Sequence, residues 1–165
     1  MTAASRRLTA ALEGCSVDVL SYLSRRVGHD DAPDLLGEAM VVAWRRVDDL
    51  PDDPERARMW LFGLARGVLL NHRRGERRRW ALADRIRSYV VREDTVAPAA
   101  DHGADVRDAI TRLDPDLREL VELVHWERMS LAEAAEVVGI SSSTARGRYQ
   151  RAKAELRAAL GATVR

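Results

Sequence analysis

The chain of 165 residues and 18.5 kDa has room for one ordinary domain or two small ones, which excludes a large multidomain enzyme. Hydrophobic residues at 46% and charged residues at 32% support a buried core and exclude a chain disordered throughout. Twenty-seven Lys and Arg against 26 Asp and Glu leave a net charge of +1, a near-zero sum that hides strong segregation along the chain.

Leu8, Leu12, Cys15, Val19, Leu23 and Val27 recur at helical spacing and predict a first helix, which Gly28 and the following His29-Asp30-Asp31 stop. Cys15 lies on its apolar face, as a buried structural thiol or a redox sensor. Pro33 starts a second helix that runs to about Val47. Its apolar arc of Leu35, Leu36, Ala39, Met40, Val42, Ala43, Trp44 and Val47 covers a little over half the circumference by the roughly 100° step. That is wider than one core contact requires. The remaining strip holds Asp34, Gly37, Glu38, Val41 and Arg45, and an apolar Val41 among carboxylates marks either a protein-docking surface or plain solvent exposure.

The Pro51-Asp52-Asp53-Pro54 cluster reads as a loop, after which a third helix begins near Arg56. Trp60, Leu61, Leu64, Ala65, Val68 and Leu69 form its core face, with Arg66 and Arg73 on the opposite side. Gly63, Gly67 and Arg74 share a neighbouring strip. Interior glycines cost about 1 kcal/mol each relative to alanine, so this pair points to close approach of another backbone, a helix or a nucleic acid. Arg73 to Arg79 carries five arginines and one glutamate, Arg77 and Arg78 among them. Such a run is a polyanion-binding face, a solvated helix end or a localisation tag. Trp60, Phe62 and Trp80 are core aromatics or platforms for unstacked bases. Leu82, Ile86 and Tyr89 suggest one more amphipathic piece, so residues 80 to 94 extend the basic helix or begin a linker.

From Thr95 to Gly103 the sequence lacks helical periodicity and large apolar anchors, and reads as an interdomain linker able to span up to about 30 Å. The expected organisation is a domain over 1–94, a linker over 95–104 and a domain over 105–165. Val106, Ile110 and Leu113 restart the helical pattern. Asp114 and Pro115 supply an N-cap and a first-turn proline for a helix carrying Leu117, Leu120, Val121 and Val124.

Ser130-Leu131-Ala132-Glu133 is a capping box that opens a short helix to Val138. Gly139 suits the left-handed position past that helix, Ile140 plugs the corner, and Ser141 caps a helix beginning at Ser142. Two helices joined by so tight a turn form a DNA-binding helix-turn-helix. Ala145, Tyr149, Ala152 and Leu156 make the apolar stripe of the second helix. Ser143, Thr144, Arg146, Gly147, Arg148, Gln150 and Arg151 occupy its other faces. Arg146 and Arg148 flank the stripe, placed for phosphates, while Ser143, Gly147, Gln150 and Arg151 point furthest from the core, placed for base edges. The bland alternative is a solvated basic face.

Charge is ordered along the chain: residues 29–58 hold nine acids and four bases, 66–79 are basic, 101–122 hold seven acids and three bases, and 144–157 are basic again. Each half pairs an acidic segment with a basic one, which predicts two DNA-facing patches on separate domains. No apolar run approaches the roughly 18 residues that cross a bilayer and no secretion signal opens the chain, so a cytoplasmic protein without membrane insertion is expected. One cysteine and four scattered histidines give no metal set, and no nucleophile-base pair or phosphate loop suggests a reaction. Neither a cofactor nor catalytic residues are expected.

These motifs, in this order, resemble a bacterial sigma factor of the extracytoplasmic-function group, over about residues 15 to 160. Asp34 to Met40 followed by Ala43-Trp44-Arg45 looks like the helix that docks on the clamp of core RNA polymerase, which implies contacts from Asp34, Leu35, Gly37, Glu38, Val41 and Arg45. Trp60 to Gly67, continuing through Asn71-His72-Arg73-Arg74, looks like the segment that opens and reads the minus-ten element. The resemblance there implies Trp60, Arg66, Gly67, Asn71, Arg73, Arg74, Arg77 and Arg78. Leu113-Asp114-Pro115 through Leu120, then Ser130 to Leu156, resembles the domain that binds the minus-thirty-five element, implying Ser142, Ser143, Thr144, Arg146, Gly147, Arg148, Gln150 and Arg151. The sequence departs from the family at Gly37, where glutamine is common, and at Gly67, where asparagine often stands.

The expectation is therefore an all-α, two-domain transcription initiation factor, with core RNA polymerase, promoter DNA and an anti-sigma protein as partners, monomeric without them. Its principal rival is a helix-turn-helix regulator that binds a symmetric operator as a dimer without polymerase.

Overall fold

The computed structural model describes residues 2–87 and 102–163, with side chains over 2–81 and 106–161. Every regular element among them is helical: α1 (Ala3–Val27), α2 (Ala32–Arg45), a 3-10 turn (Val47–Asp49), α3 (Pro54–Arg87), α4 (His102–Arg112), α5 (Pro115–His125), α6 (Leu131–Val138) and α7 (Ser142–Thr163). None of these helices is long and apolar enough to cross a membrane. The chain divides into two compact units, Met1–Arg92 and Glu93–Arg165.

In the first unit, the Thr2 hydroxyl accepts from the Ser5 amide at 3.1 Å and opens α1. Gly28 closes it at φ 89°, in a region that side-chain-bearing residues avoid, while its N–H reaches the Ser24 carbonyl at 2.9 Å. Asp53 opens α3 by accepting from the Arg56 amide at 2.9 Å. The three helices enclose one core. Leu8, Cys15, Val19, Tyr22 and Leu23 come from α1, Leu35, Ala39 and Ala43 from α2, and Met59, Leu61, Phe62, Ala65, Val68 and Leu69 from α3.

Phe62, a sequence candidate for a base platform, is fully buried and meets Tyr22 edge to face at a centroid distance of 5.6 Å. Leu35, expected among the docking contacts of α2, is only 5% exposed and belongs to the same core. Trp44 shows the reverse: placed by periodicity in the packing arc, it is 43% exposed.

α3 continues without a break through the arginine-rich stretch to Arg87, so residues 80–87 extend the basic helix. Most of the expected linker, 95–101, lies outside the described residues. His102 and Gly103, assigned to that linker by composition, begin α4.

The second unit packs Ile110, Leu113, Leu117, Val121 and Ala152 into a cluster against which Tyr149 and Leu156 lie. Val106 is exposed instead of packed. Asp114 Oδ1 accepts from the Asp116 amide at 3.0 Å, and Pro115 follows in the first turn of α5.

Burial pushes the Cys15 thiol up to about 11, with Arg58 opposing and Asp18 adding to the shift. A raised pKa means that the folded state holds its proton. This contribution to stability is fully present below the unfolded thiol's value of about 8.5 and is lost as pH rises toward 11. At pH 8, iodoacetamide is expected to alkylate the folded chain roughly a hundredfold more slowly than the urea-unfolded chain. Equal rates would identify Cys15 as an exposed, reactive thiol.

Candidate nucleic-acid interface

The helix-turn-helix is built by local chemistry. Ser130 Oγ accepts from the Glu133 amide at 3.2 Å while Glu133 Oε2 accepts from the Ser130 amide at 2.6 Å, completing the capping box. At the other end of α6, Gly139 sits at φ 77°, ψ 36°. Its N–H reaches the Glu136 carbonyl at 3.2 Å, and the Ile140 N–H reaches the Ala135 carbonyl at 3.0 Å. This pair of bonds is a Schellman closure, and it turns the chain within two residues. Ser141 Oγ then accepts from the Thr144 amide at 3.1 Å and starts α7. The Ser143 and Thr144 hydroxyls also meet Ser141 Oγ, at 2.9 and 2.8 Å, so both serve the cap.

Ala145 and Ala152 of α7 are fully buried, which orients the rest of the helix. Ser142, Ser143, Thr144, Arg146, Gly147, Gln150 and Arg151 are exposed. Arg148 differs from the sequence expectation: its guanidinium pairs with Asp116 of α5 at 3.0 Å, tying the two helices together instead of reaching outward for a phosphate. Arg151 pairs with Glu155 one turn on, at 2.9 Å. The exposed face that remains centres on Ser143, Arg146, Gly147 and Gln150. His125 Nε2 and the Tyr149 hydroxyl, at 2.8 Å, add a second tie between α5 and α7.

On α3, burial ends at Leu69. Asn71, Arg73, Arg74, Arg77, Arg78 and Arg79 beyond it are exposed, and Trp80 is 60% exposed. By the roughly 100° step, Trp60, Gly63, Gly67, Asn71, Arg74 and Arg78 fall on one line along the helix. Arg66, Arg73 and Arg77 lie to one side of it. Asn71, Arg74, Arg77 and Arg78 border one open stretch of the α3 surface. Among the described residues nothing lies within 4 Å of where a Cβ would stand on Gly63 or Gly67, so no described element of this unit accounts for their lack of side chains. Trp60 is half-buried at the base of the strip.

A third exposed surface lies on α2, where Asp34, Gly37, Glu38, Val41, Trp44 and Arg45 share the outward side. Val41 is 49% exposed, and Trp44 lies about one turn further on the same side. Sequence reading missed Trp44 as part of this surface, although an arc too wide for one packing partner was the available sign.

Residues 13–79 match the family described as Sigma-70 region 2, and residues 104–156 match Sigma-70, region 4. The chain is 33% identical to the RNA polymerase sigma factor CnrH of Cupriavidus metallidurans over 80% of its own length and 74% of that protein. It is 28% identical to the ECF RNA polymerase sigma factor SigL of Mycobacterium tuberculosis, over 96% of the chain and 92% of SigL. Among solved structures it resembles CnrH in complex with the cytosolic domain of CnrY, with a TM-score of 0.63 and 27% identity over 96% of this chain and 90% of that one.

Gly139 has open space where a Cβ would stand, so its substitution tests backbone strain alone. In urea unfolding, Gly139→Ala is expected to lower the stability of the second unit by about 1 kcal/mol, and Gly139→Asn by less, since asparagine tolerates the left-handed region. Equal losses from both variants would place the cost elsewhere than in φ.

Proposed function

The chain belongs to the sigma-70 family, among the extracytoplasmic-function RNA polymerase sigma factors that direct promoter-specific transcription initiation, and from that premise we propose which surface performs each step. The outward side of α2 docks on core polymerase through Asp34, Gly37, Glu38, Val41, Trp44 and Arg45. The emergent half of α3, with Arg66, Gly67, Asn71, Arg73, Arg74, Arg77 and Arg78 and with Trp60 at its base, holds the opened minus-ten element. The exposed face of α7 reads the minus-thirty-five element through Ser142, Ser143, Thr144, Arg146, Gly147, Gln150 and Arg151, with Arg148 fixing the angle of the helix against α5.

The observation that carries this reading is the pairing of two exposed arginine-rich helix faces, one in each unit, with an apolar, acid-edged surface on α2 that suits a protein. Arginines on phosphates release counterions and supply affinity without sequence information, whereas strand opening needs side chains that hold bases once they leave the stack. The exposed strip of α3 has both kinds of group. Gln150 points away from the core, placed for an adenine edge in the major groove, while Arg146 flanks the apolar stripe, placed for a phosphate.

In this reading the protein is a monomer in the cytoplasm with no catalytic step of its own. Binding energy spent on extruded bases opens the promoter for the polymerase. An anti-sigma protein that covers these surfaces until a signal removes it belongs to the proposal too; the similar CnrH forms a complex with the cytosolic domain of CnrY.

The deciding experiment incubates the protein with bacterial core polymerase and a genomic promoter library, then sequences the retained DNA and its melted bases. Bipartite sites that melt only when both proteins are present support the reading. Symmetric duplex sites selected without core would favour a dimeric regulator. Val41→Glu, which adds a charge to an already exposed position, is expected to weaken core binding by tenfold or more, while urea unfolding changes by less than about 0.5 kcal/mol. Undiminished core affinity would remove α2 from the interface.

A further inference from the structure

Asp116 and Arg148 meet at 3.0 Å across two helices, with the arginine side chain one-third exposed and the aspartate more than half exposed. Asp116 is the second residue of α5, where the positive end of the helix dipole suits a carboxylate. His125, the last residue of the same helix, meets Tyr149. The two partners on α5 are nine residues apart, about 13 Å along its axis, whereas Arg148 and Tyr149 are neighbours on α7. One tie lets α7 pivot on α5, and two at opposite ends of α5 fix the angle at which it crosses. An arginine at the edge of a DNA-facing helix ordinarily takes a phosphate, which every sequence offers. Arg148 is one of five bases between residues 144 and 157, yet its guanidinium is turned to an acid on another helix. A phosphate that took Arg148 would stand beside that carboxylate, like charge against like.

We infer that Asp116 is a specificity-determining residue of the minus-thirty-five surface, which withholds Arg148 from the DNA backbone and so trades general affinity for discrimination between sequences. The inference rests on the reading of α7 as that surface and deepens it. Asp116 touches no base and acts as a positioning residue through Arg148. Backbone contacts add affinity to every duplex alike, whereas contacts between the exposed face of α7 and base edges depend on the angle of the helix. Holding Arg148 on α5 removes one contact of the first kind and steadies those of the second.

The test uses the full chain with bacterial core polymerase and two promoter duplexes that share one minus-ten element. One carries the minus-thirty-five element that the promoter library selects, and the other has that element scrambled. Affinity for each is measured between about 50 and 200 mM salt. The unmodified protein is expected to bind the selected duplex about tenfold or more tightly. Asp116→Asn frees Arg148 and leaves the contact of His125 with Tyr149 in place. Binding of the scrambled duplex is expected to tighten about threefold, the slope of log affinity against log salt to steepen by about one, and the ratio between the two duplexes to fall. A merely structural loss would weaken binding without steepening the slope. Adding Arg148→Gln to Asp116→Asn removes the freed group, so the gain on the scrambled duplex and the extra slope both disappear. A gain that survives in this double variant would make Asp116 no more than a negative charge near the DNA, and overturns the inference. Unchanged affinity and slope in Asp116→Asn overturn it as well, with α7 still on the DNA. Equal binding of both duplexes by the unmodified protein overturns the assignment of α7 to the minus-thirty-five element and the inference with it.

Discussion

One uninterrupted helix sets the geometry of the first unit. α3 runs for 34 residues, about 50 Å, and among its described side chains burial ends at Leu69. Phe62, Ala65, Val68 and Leu69 lock that half against α1 and α2, and because each residue turns the helix by about 100°, the same packing fixes the direction of Asn71, Arg74 and Arg78 beyond the core. Among the described side chains of α3 none beyond Leu69 is buried, and five arginines in seven residues repel one another. Local contacts relieve part of this: Arg74 and Arg77 lean back onto the Leu70 and Arg73 carbonyls, and Glu76 lies 3.6 Å from His72. In the proposed reading, DNA lying along this half offsets the rest of the repulsion.

The second unit reaches a similar end by shorter means. Its recognition helix is placed by the Gly139 turn, by burial of Ala145 and Ala152, and by two side-chain ties to α5 from Arg148 and Tyr149. A partly exposed ion pair such as Arg148 with Asp116 adds little stability, about 1 kcal/mol or less. Its value is positional, since the partner lies on another helix and at one angle of approach. Two of the arginines on α7 are thereby occupied, Arg148 across the unit and Arg151 along its own helix with Glu155. Arg146, exposed and without either tie, is the arginine of this face left for the proposed DNA contact.

Much of this was legible in the sequence, because local chemistry writes it there. The capping box at Ser130, the left-handed Gly139, the Ser141 cap and the Asp114-Pro115 helix start depend on residues within a turn of each other, and spacing exposes them. The same holds for the stop at Gly28. What the sequence concealed depends on contacts between elements. Phe62 looked like a possible base platform because a single stripe could not show that two helices flank α3 and widen its buried arc. Leu35 and Trp44 exchanged roles on α2, since periodicity gives the width of an apolar arc without saying which edge a neighbour covers. The partner of Arg148 is an aspartate on another helix, and no local pattern reveals it. Composition marks His102 and Gly103 as linker, yet α4 begins there, and the turn before Val106 carries no apolar signal that would reveal it.

If α3 is a rigid rod whose core fixes its DNA face, changing the phase between the two halves is more damaging than removing any one arginine. A single alanine inserted between Leu70 and Asn71 keeps every charge and every core residue while turning the basic strip by about 100°. Mapping of melted bases in complexes of this variant with core polymerase and a selected promoter addresses that claim directly. The account predicts that core binding and minus-thirty-five protection persist while minus-ten melting is lost. Melting at the level of the unmodified protein would contradict it, and would mean that the basic half of α3 finds the DNA without guidance from the core.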